Sequence, residues 1–309
     1  ELCTGAGMTL NDIITAETNR DTFPAAMAFC GYLRDTYGKS VAAVIFYGSC
    51  LRANTDEGLL LDFYVLVDKY GPALNSVWAT WGARLLPPNV YYHETTFEGR
   101  LVRAKVAVIA VNQFLHGVGP ESFASSLWAR FAQPAAILYA RNNEVGHRIV
   151  RGLSEAVSTM IARARPLMEQ PFTARELWVR AFAETYRAEL RPERDNKGAE
   201  LVEAEIARYS AVTAAVLGVP EDGTYQASPI AAQHKAERAW WLRRIQGKTL
   251  NALRLMKAAF TFTGGLDYAV WKIERHSGVK IELTEAQRKR PLITGVKLFL
   301  GTVKKDGLR

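Results

Sequence analysis

The spacing of apolar positions changes part-way along the chain. Up to about residue 145, short β-rich runs alternate with helical stripes. Val41 to Tyr47, Leu59 to Val67, Val90-Tyr91-Tyr92 and Val106 to Val111 read as strands. Thr22-Phe23-Pro24 opens a helix whose apolar face runs through Phe29 and Leu33. Beyond Arg141 the period becomes 3.6. Ile149, Val150, Leu153, Val157, Met160 and Ile161 form one stripe, and Thr173 with Glu176 forms a capping box for the next helix. A third helix is expected from Gly198 to Leu217, stopped by Gly218. A fourth starts at Ser228-Pro229, is interrupted at Gly247 and ends at Gly264-Gly265. The pattern divides the chain into an α+β half, 1–145, and a mainly helical half, 146–309, with a basic C-terminal segment.

Composition adds bounds rather than identity. The 309 residues are 49% hydrophobic and 23% charged, as in ordinary globular proteins. No window approaches the roughly 18 consecutive apolar residues that cross a bilayer. Cys3, Cys30 and Cys50 have neither zinc spacing nor a disulfide framework. The net charge of +8 favours an anionic partner: nucleotide, nucleic acid or lipid surface.

The chemistry concentrates in Tyr47-Gly48-Ser49, followed 13 residues after Ser49 by Asp62. A glycine at a strand exit lets the backbone approach a triphosphate, and the Ser49 hydroxyl can bind phosphate oxygens. An acid on a neighbouring strand can hold Mg²⁺ against those phosphates. In general terms this resembles the polymerase-β-like nucleotidyltransferase pattern, a Gly-Ser turn followed by an Asp-x-Asp strand. Tyr64 stands where the second carboxylate would be. Asp68 shares the strand face but lies about 20 Å away at ~3.3 Å per residue, too far to share a metal. The plainer reading makes Gly48-Ser49 a strand-end turn and Asp62 a surface acid.

Further blocks resemble the mitochondrial-type phosphatidate cytidylyltransferase family, of the translocator assembly and maintenance kind. They are Tyr47-Gly48-Ser49, Leu61-Asp62-Phe63 with Val67-Asp68, Asn89 to Tyr92, Gly99 to Arg103, Leu127 to Pro134, Tyr186 to Arg191, and Lys257 to Thr261 with Gly264-Gly265. That family also has a single acid opening the strand, and Glu189 stands where it usually has Asp. The resemblance implies a polymerase-β-like domain with a small mixed sheet, followed by a helical, winged-helix-like domain. It implies conversion of CTP and phosphatidic acid to CDP-diacylglycerol and pyrophosphate with Mg²⁺. The setting would be an anionic membrane surface, on the bacterial cytoplasmic face or the mitochondrial matrix side.

On this reading Asp62 holds the metal and is catalytic with Ser49. Tyr47, Gly48, Ser49, Arg103, Lys105 and Arg130 bind the nucleotide, and Glu189, Arg191 and Lys257 serve a substrate or lipid phosphate. Each has a plainer alternative: Arg103 and Lys105 as a solvated strand end, Arg130 lying over apolar surface, Glu189 and Arg191 paired with each other. His93 is expected in a surface or core role rather than as a ligand. Between His234 and Lys257, seven basic residues interleave with Trp240, Trp241 and several leucines against one acid, Glu237. That suits an interfacial helix on anionic lipid, and RNA suits the same surface. Two other functions compete: a nucleotidyltransferase acting on RNA, protein or a small-molecule hydroxyl, and a non-catalytic binding relative.

Overall fold

The computed structural model describes residues 8–55, 60–74, 77–189 and 197–261. Arg191, Gly264-Gly265 and the basic C-terminal segment lie outside them. The fold is α+β, built on a five-stranded mixed sheet. Its strands are β1 (Val41–Tyr47), β2 (Leu61–Val67), β3 (Asn89–Phe97), β4 (Arg100–Ala110) and β5 (Ala135–Ala140). They lie in the order β3-β4-β2-β1-β5, with β2 and β4 parallel and the other neighbours antiparallel.

Both faces of the sheet are covered, which is why β1 and β2 read as continuous apolar runs rather than alternating ones. One face, through Val44, Phe46, Phe63, Val65, Val106 and Val108, packs on Phe29 and Leu33. These two belong to the helix of Pro24–Tyr37. The other face presents Ala43, Ile45, Tyr64, Leu66, Ala107 and Ile109. The first face also takes Cys50 and Leu51 of α3 (Ser49–Ala53), Tyr70 and Ala73 of α4 (Tyr70–Ala73) and Ala83 of α5 (Val77–Leu85), the helices that follow the Pro24–Tyr37 helix, α2. The second face meets α1 (Leu10–Thr18) and the later helices α6 (Val111–Val118), α7 (Trp128–Phe131), α8 (Asn143–Ala164), α9 (Ala174–Ala188), α10 (Lys197–Ala204), α11 (Ile206–Leu217) and α12 (Ile230–Thr261). A single core on this side takes in Ile13 of α1, Phe114 of α6, the whole α8 stripe, Trp178 of α9, Val212 of α11 and Trp240 of α12. It therefore draws on residues from both halves of the chain.

Several local expectations are corrected. The strand expected at Val106 to Val111 is the end of β4, and Val111 opens α6. β3 and β4 form a longer hairpin, whose turn residues Glu98 and Gly99 both have positive φ (48° and 74°). The tip is polar, so its strand signal was weak. The helix expected from Gly198 to Leu217 is two helices, because Glu205 leaves helical geometry at φ −135°, ψ 32°. Gly247 does not interrupt α12: a Cβ there would lie 2.2 Å from the Ala188 carbonyl oxygen, so it is a close crossing of α12 over the end of α9. The capping box forms as expected, with Thr173 N–H donating to Glu176 at 2.8 Å. After Arg141 the regular elements among the described residues are helices, apart from an isolated bridge, Phe172 to Tyr225, so they lend the winged-helix-like expectation no support.

His93 on β3 is half-buried between two tyrosines. Its Nε2 meets the Tyr37 hydroxyl at 2.9 Å and its Nδ1 the Tyr32 hydroxyl at 3.2 Å. Burial pulls its pKa down to about 4. A folded-state value below the unfolded value means that the unfolded chain binds more protons between about 6.5 and 4, so stability falls as pH falls through that window. Urea midpoints should therefore drop from pH 7 to pH 4.5, and His93→Gln should flatten that part of the profile. An unchanged slope in the variant would assign the acid sensitivity to another group.

Candidate active site

β1 ends at Tyr47 and the chain turns at Gly48, which has φ 92° and ψ −161°, a conformation closed to residues with a Cβ. The turn delivers Ser49, exposed, to the first position of α3. Sheet register then sets one row across four strands: Tyr92 opposite Lys105, Lys105 opposite Asp62, Asp62 opposite Tyr47. Asp62 lies so close to the turn that a Cβ on residue 48 would be 2.8 Å from its Oδ2. Gly48 and Asp62 therefore lie side by side at the strand ends, with no room for a side chain at position 48.

Gly48→Ala tests that close approach. Both the backbone strain and the added methyl push against Asp62, so stability should fall by about 1–3 kcal/mol. A displaced acid should cost any activity of the site about 100-fold. Urea unfolding and initial rates on one preparation measure both, and a fully active variant would separate Gly48 from the chemistry.

Tyr64, two residues after Asp62 on the same face, is 1% exposed. Its hydroxyl accepts a hydrogen bond from Arg130 Nη1 at 2.9 Å. The guanidinium also sits 5.7 Å from the Tyr47 ring centre and 5.9 Å from that of Tyr64. Burial opposes the charge of Arg130, but Tyr64, Tyr47, Glu189 and Asp62 together hold its pKa well above the ordinary arginine value. Tyr47, Tyr64, Arg130 and Glu189, but not Asp62, line a cavity of about 160 Å³. Lys105, Arg130, Arg254 and Lys257 line it, with Glu189 as the one carboxylate among its lining residues. Four cations against one acid give the lining a net positive charge.

The cations are held differently. Lys257 donates to the carbonyl oxygens of Leu86 and Pro88 and to Asn89 Oδ1, so its ammonium anchors α12 to the start of β3. Burial, and then the charge of Arg254, lower its pKa to about 8. Arg254 Nη1 donates to Ser126 Oγ at 3.3 Å, while its Nε is buried without a hydrogen-bond partner. Arg103 pairs with Glu94 at 3.0 Å on the same face as Lys105, but does not line the cavity. Asp68 pairs with Arg141 at the far end of the strand.

No family model matches the chain, and no curated protein does. Among solved structures it is similar to a nucleotidyltransferase-like protein from Exiguobacterium sibiricum 255-15, at 8% identity over 92% of this chain and 91% of that one, with a TM-score of 0.27. That score is too low for the likeness to bear on fold or activity.

Arg254, Asn251, Ser126 and Tyr64 line the cavity and were not singled out for it. The available signal was the three-residue spacing of Asn251, Arg254 and Lys257, which puts them on one helix face. The basic helix divides its charges. Arg243 and Arg244 turn inward, to the Phe123 carbonyl oxygen and to Glu184, while Lys235, Arg238 and Lys248 are exposed. Trp240 is buried, whereas Trp241, Leu242 and Ile245 are exposed. No helix among the described residues is long and apolar enough to cross a membrane.

Magnesium is bound through one or two carboxylates, several waters and substrate phosphates. Among the described residues no three His, Cys, Asp or Glu side chains group together. Asp62, close to a cavity lined by cations, fits one ion shared with phosphates. It does not fit a cage built from protein alone.

Proposed function

We propose that the protein is a nucleotidyltransferase that moves CMP from CTP onto phosphatidic acid. The observation that supports this best is the close approach of Asp62 to the Gly48 turn, near a cavity walled by Arg130, Lys105 and Arg254. Gly48 and Ser49 seat the triphosphate, and Asp62 is the residue that would hold Mg²⁺. That ion, when bound, neutralises charge on the phosphates. An acceptor phosphate oxygen bonds to the α-phosphorus as the bond to the pyrophosphate oxygen breaks. A phosphate is already ionised near neutral pH, so the acceptor needs no general base, and a strand with one acid suffices. Arg130 and Lys105 offset the charge gathered at phosphorus. The CTP and phosphatidic acid specificities rest on the sequence resemblance. The exposed Trp241, Leu242 and Ile245 flanked by Arg238 and Lys248 suit work at an anionic membrane surface.

The test is pyrophosphate release from each of the four NTPs with Mg²⁺, with and without vesicles containing phosphatidic acid. Release confined to CTP and dependent on the lipid is expected. Release from CTP without lipid dependence would redirect the acceptor, and no release from any NTP would overturn the enzyme reading.

A further inference from the structure

Sites that transfer phosphorus commonly use two metal ions, one on each side of the reacting group, each held by carboxylates. Here the strand position that would carry the second carboxylate holds Tyr64, a phenol and a poor magnesium ligand. Its hydroxyl is engaged by the guanidinium of Arg130, which comes from α7, on the other side of the cavity wall. Trp128 and Phe131 of the same short helix are both at most 1% exposed, so the arginine is mounted on a rigid base. We infer that Arg130, oriented by Tyr64, supplies the fixed positive charge that a second metal ion would otherwise bring, and that the site works with a single divalent ion. The inference rests on the nucleotidyltransferase reading and adds to it a metal count and a reason for Tyr64.

The chemistry of the two side chains supports the exchange. A guanidinium stays protonated at any working pH, and its planar fork matches two phosphate oxygens at once. Fixed cations of this kind stabilise charge on a transferred phosphoryl group in other enzyme classes. A tyrosine at position 64 orients such a group without neutralising it, so the carboxylates that act on Arg130 are Glu189 and Asp62, with no third at position 64. The rings of Tyr47 and Tyr64 flank the guanidinium and add attraction without taking up its formal charge. Arg254, with its unpartnered Nε, stands on the same cavity and makes the wall more positive.

Two binding measurements test this without turnover. The first is calorimetric titration with inorganic pyrophosphate in the presence of EDTA. The wild type should bind, Arg130→Met should weaken binding by about tenfold or more, and Tyr64→Phe should weaken it a few-fold by freeing the guanidinium. Arg130→Lys keeps the charge and covers the case in which Arg130→Met does not fold; it should retain part of the affinity. The second counts Mn²⁺ bound per chain with a non-hydrolysable CTP analogue, and one is expected. Two ions per chain would overturn the inference, as would pyrophosphate affinity untouched in Arg130→Met or Arg130→Lys. A chain that turns over CTP but binds two Mn²⁺ fails the inference alone. A chain that turns over no NTP yet binds pyrophosphate through Arg130 fails the enzyme reading and leaves the arginine's role standing.

Discussion

Asp62→Asn should lower the rate of pyrophosphate release by about three orders of magnitude while leaving the protein folded. The substitution keeps shape and hydrogen-bonding reach and removes only the charge. A metal contributes several kcal/mol of charge stabilisation at the reacting phosphate, and each 1.36 kcal/mol is a factor of ten. Asp62 is only half-buried at the open end of the sheet, and its strand neighbours Leu61 and Phe63 carry the packing. Thermal unfolding should therefore shift by no more than a few degrees. A variant keeping a tenth or more of the wild-type rate would remove Asp62 from the centre of the mechanism. One that fails to fold would make the acid a structural residue instead.

Arg208→Met should be the most damaging change away from the site, at about 3–5 kcal/mol of folding stability. Arg208 of α11 and Glu17 of α1 form an ion pair with both side chains at most 6% exposed. Arg208 Nη2 meets Glu17 Oε1 at 3.2 Å, and Nη1 donates to the Ala132 carbonyl oxygen at 2.9 Å. Glu17 also accepts from the amide of Ala135, the first residue of β5. Removing the arginine leaves a buried carboxylate with only the longer ion pair to Arg20, at 3.9 Å, and the Ala132 carbonyl without this donor. Replacing both partners by apolar residues, Glu17→Leu with Arg208→Met, should recover much of the loss, because the cost lies in the poorly paired charge rather than in the absent pair. Urea denaturation of the two single variants and the double variant gives the answer. A single variant within about 1 kcal/mol of wild type would mean that water reaches Glu17.

What could be read in advance follows how far apart the interacting residues lie. The turn at Gly48 and the acid at Asp62 were legible because strand, turn and strand are local, and register does the rest. The α8 stripe and the Thr173 capping box were legible for the same reason. The contact between Tyr64 and Arg130 bridges 66 positions, and no periodicity announces it. In the sequence Tyr64 was therefore only a missing acid. α12 misled for a different reason. Charges lie on both its faces, so Arg243 and Arg244, which bond inward, looked like part of a uniformly basic surface. Gly247 carried the usual signal of a helix break, and only the neighbouring carbonyl of Ala188 shows why a glycine is needed inside a continuous helix.

The lining of the cavity comes from distant parts of the chain: Tyr47 and Tyr64 near its beginning, Asn251, Arg254 and Lys257 near the end of the described residues. During synthesis the sheet is made long before the helix that closes over it. A growing chain that has reached α9 carries Asp62 and Arg130 but lacks the far wall, so a chain stopped there has no complete cavity. The same arrangement gives a bound anion a second consequence. An anion that bridged the first-made and last-made elements would favour the closed chain by mass action.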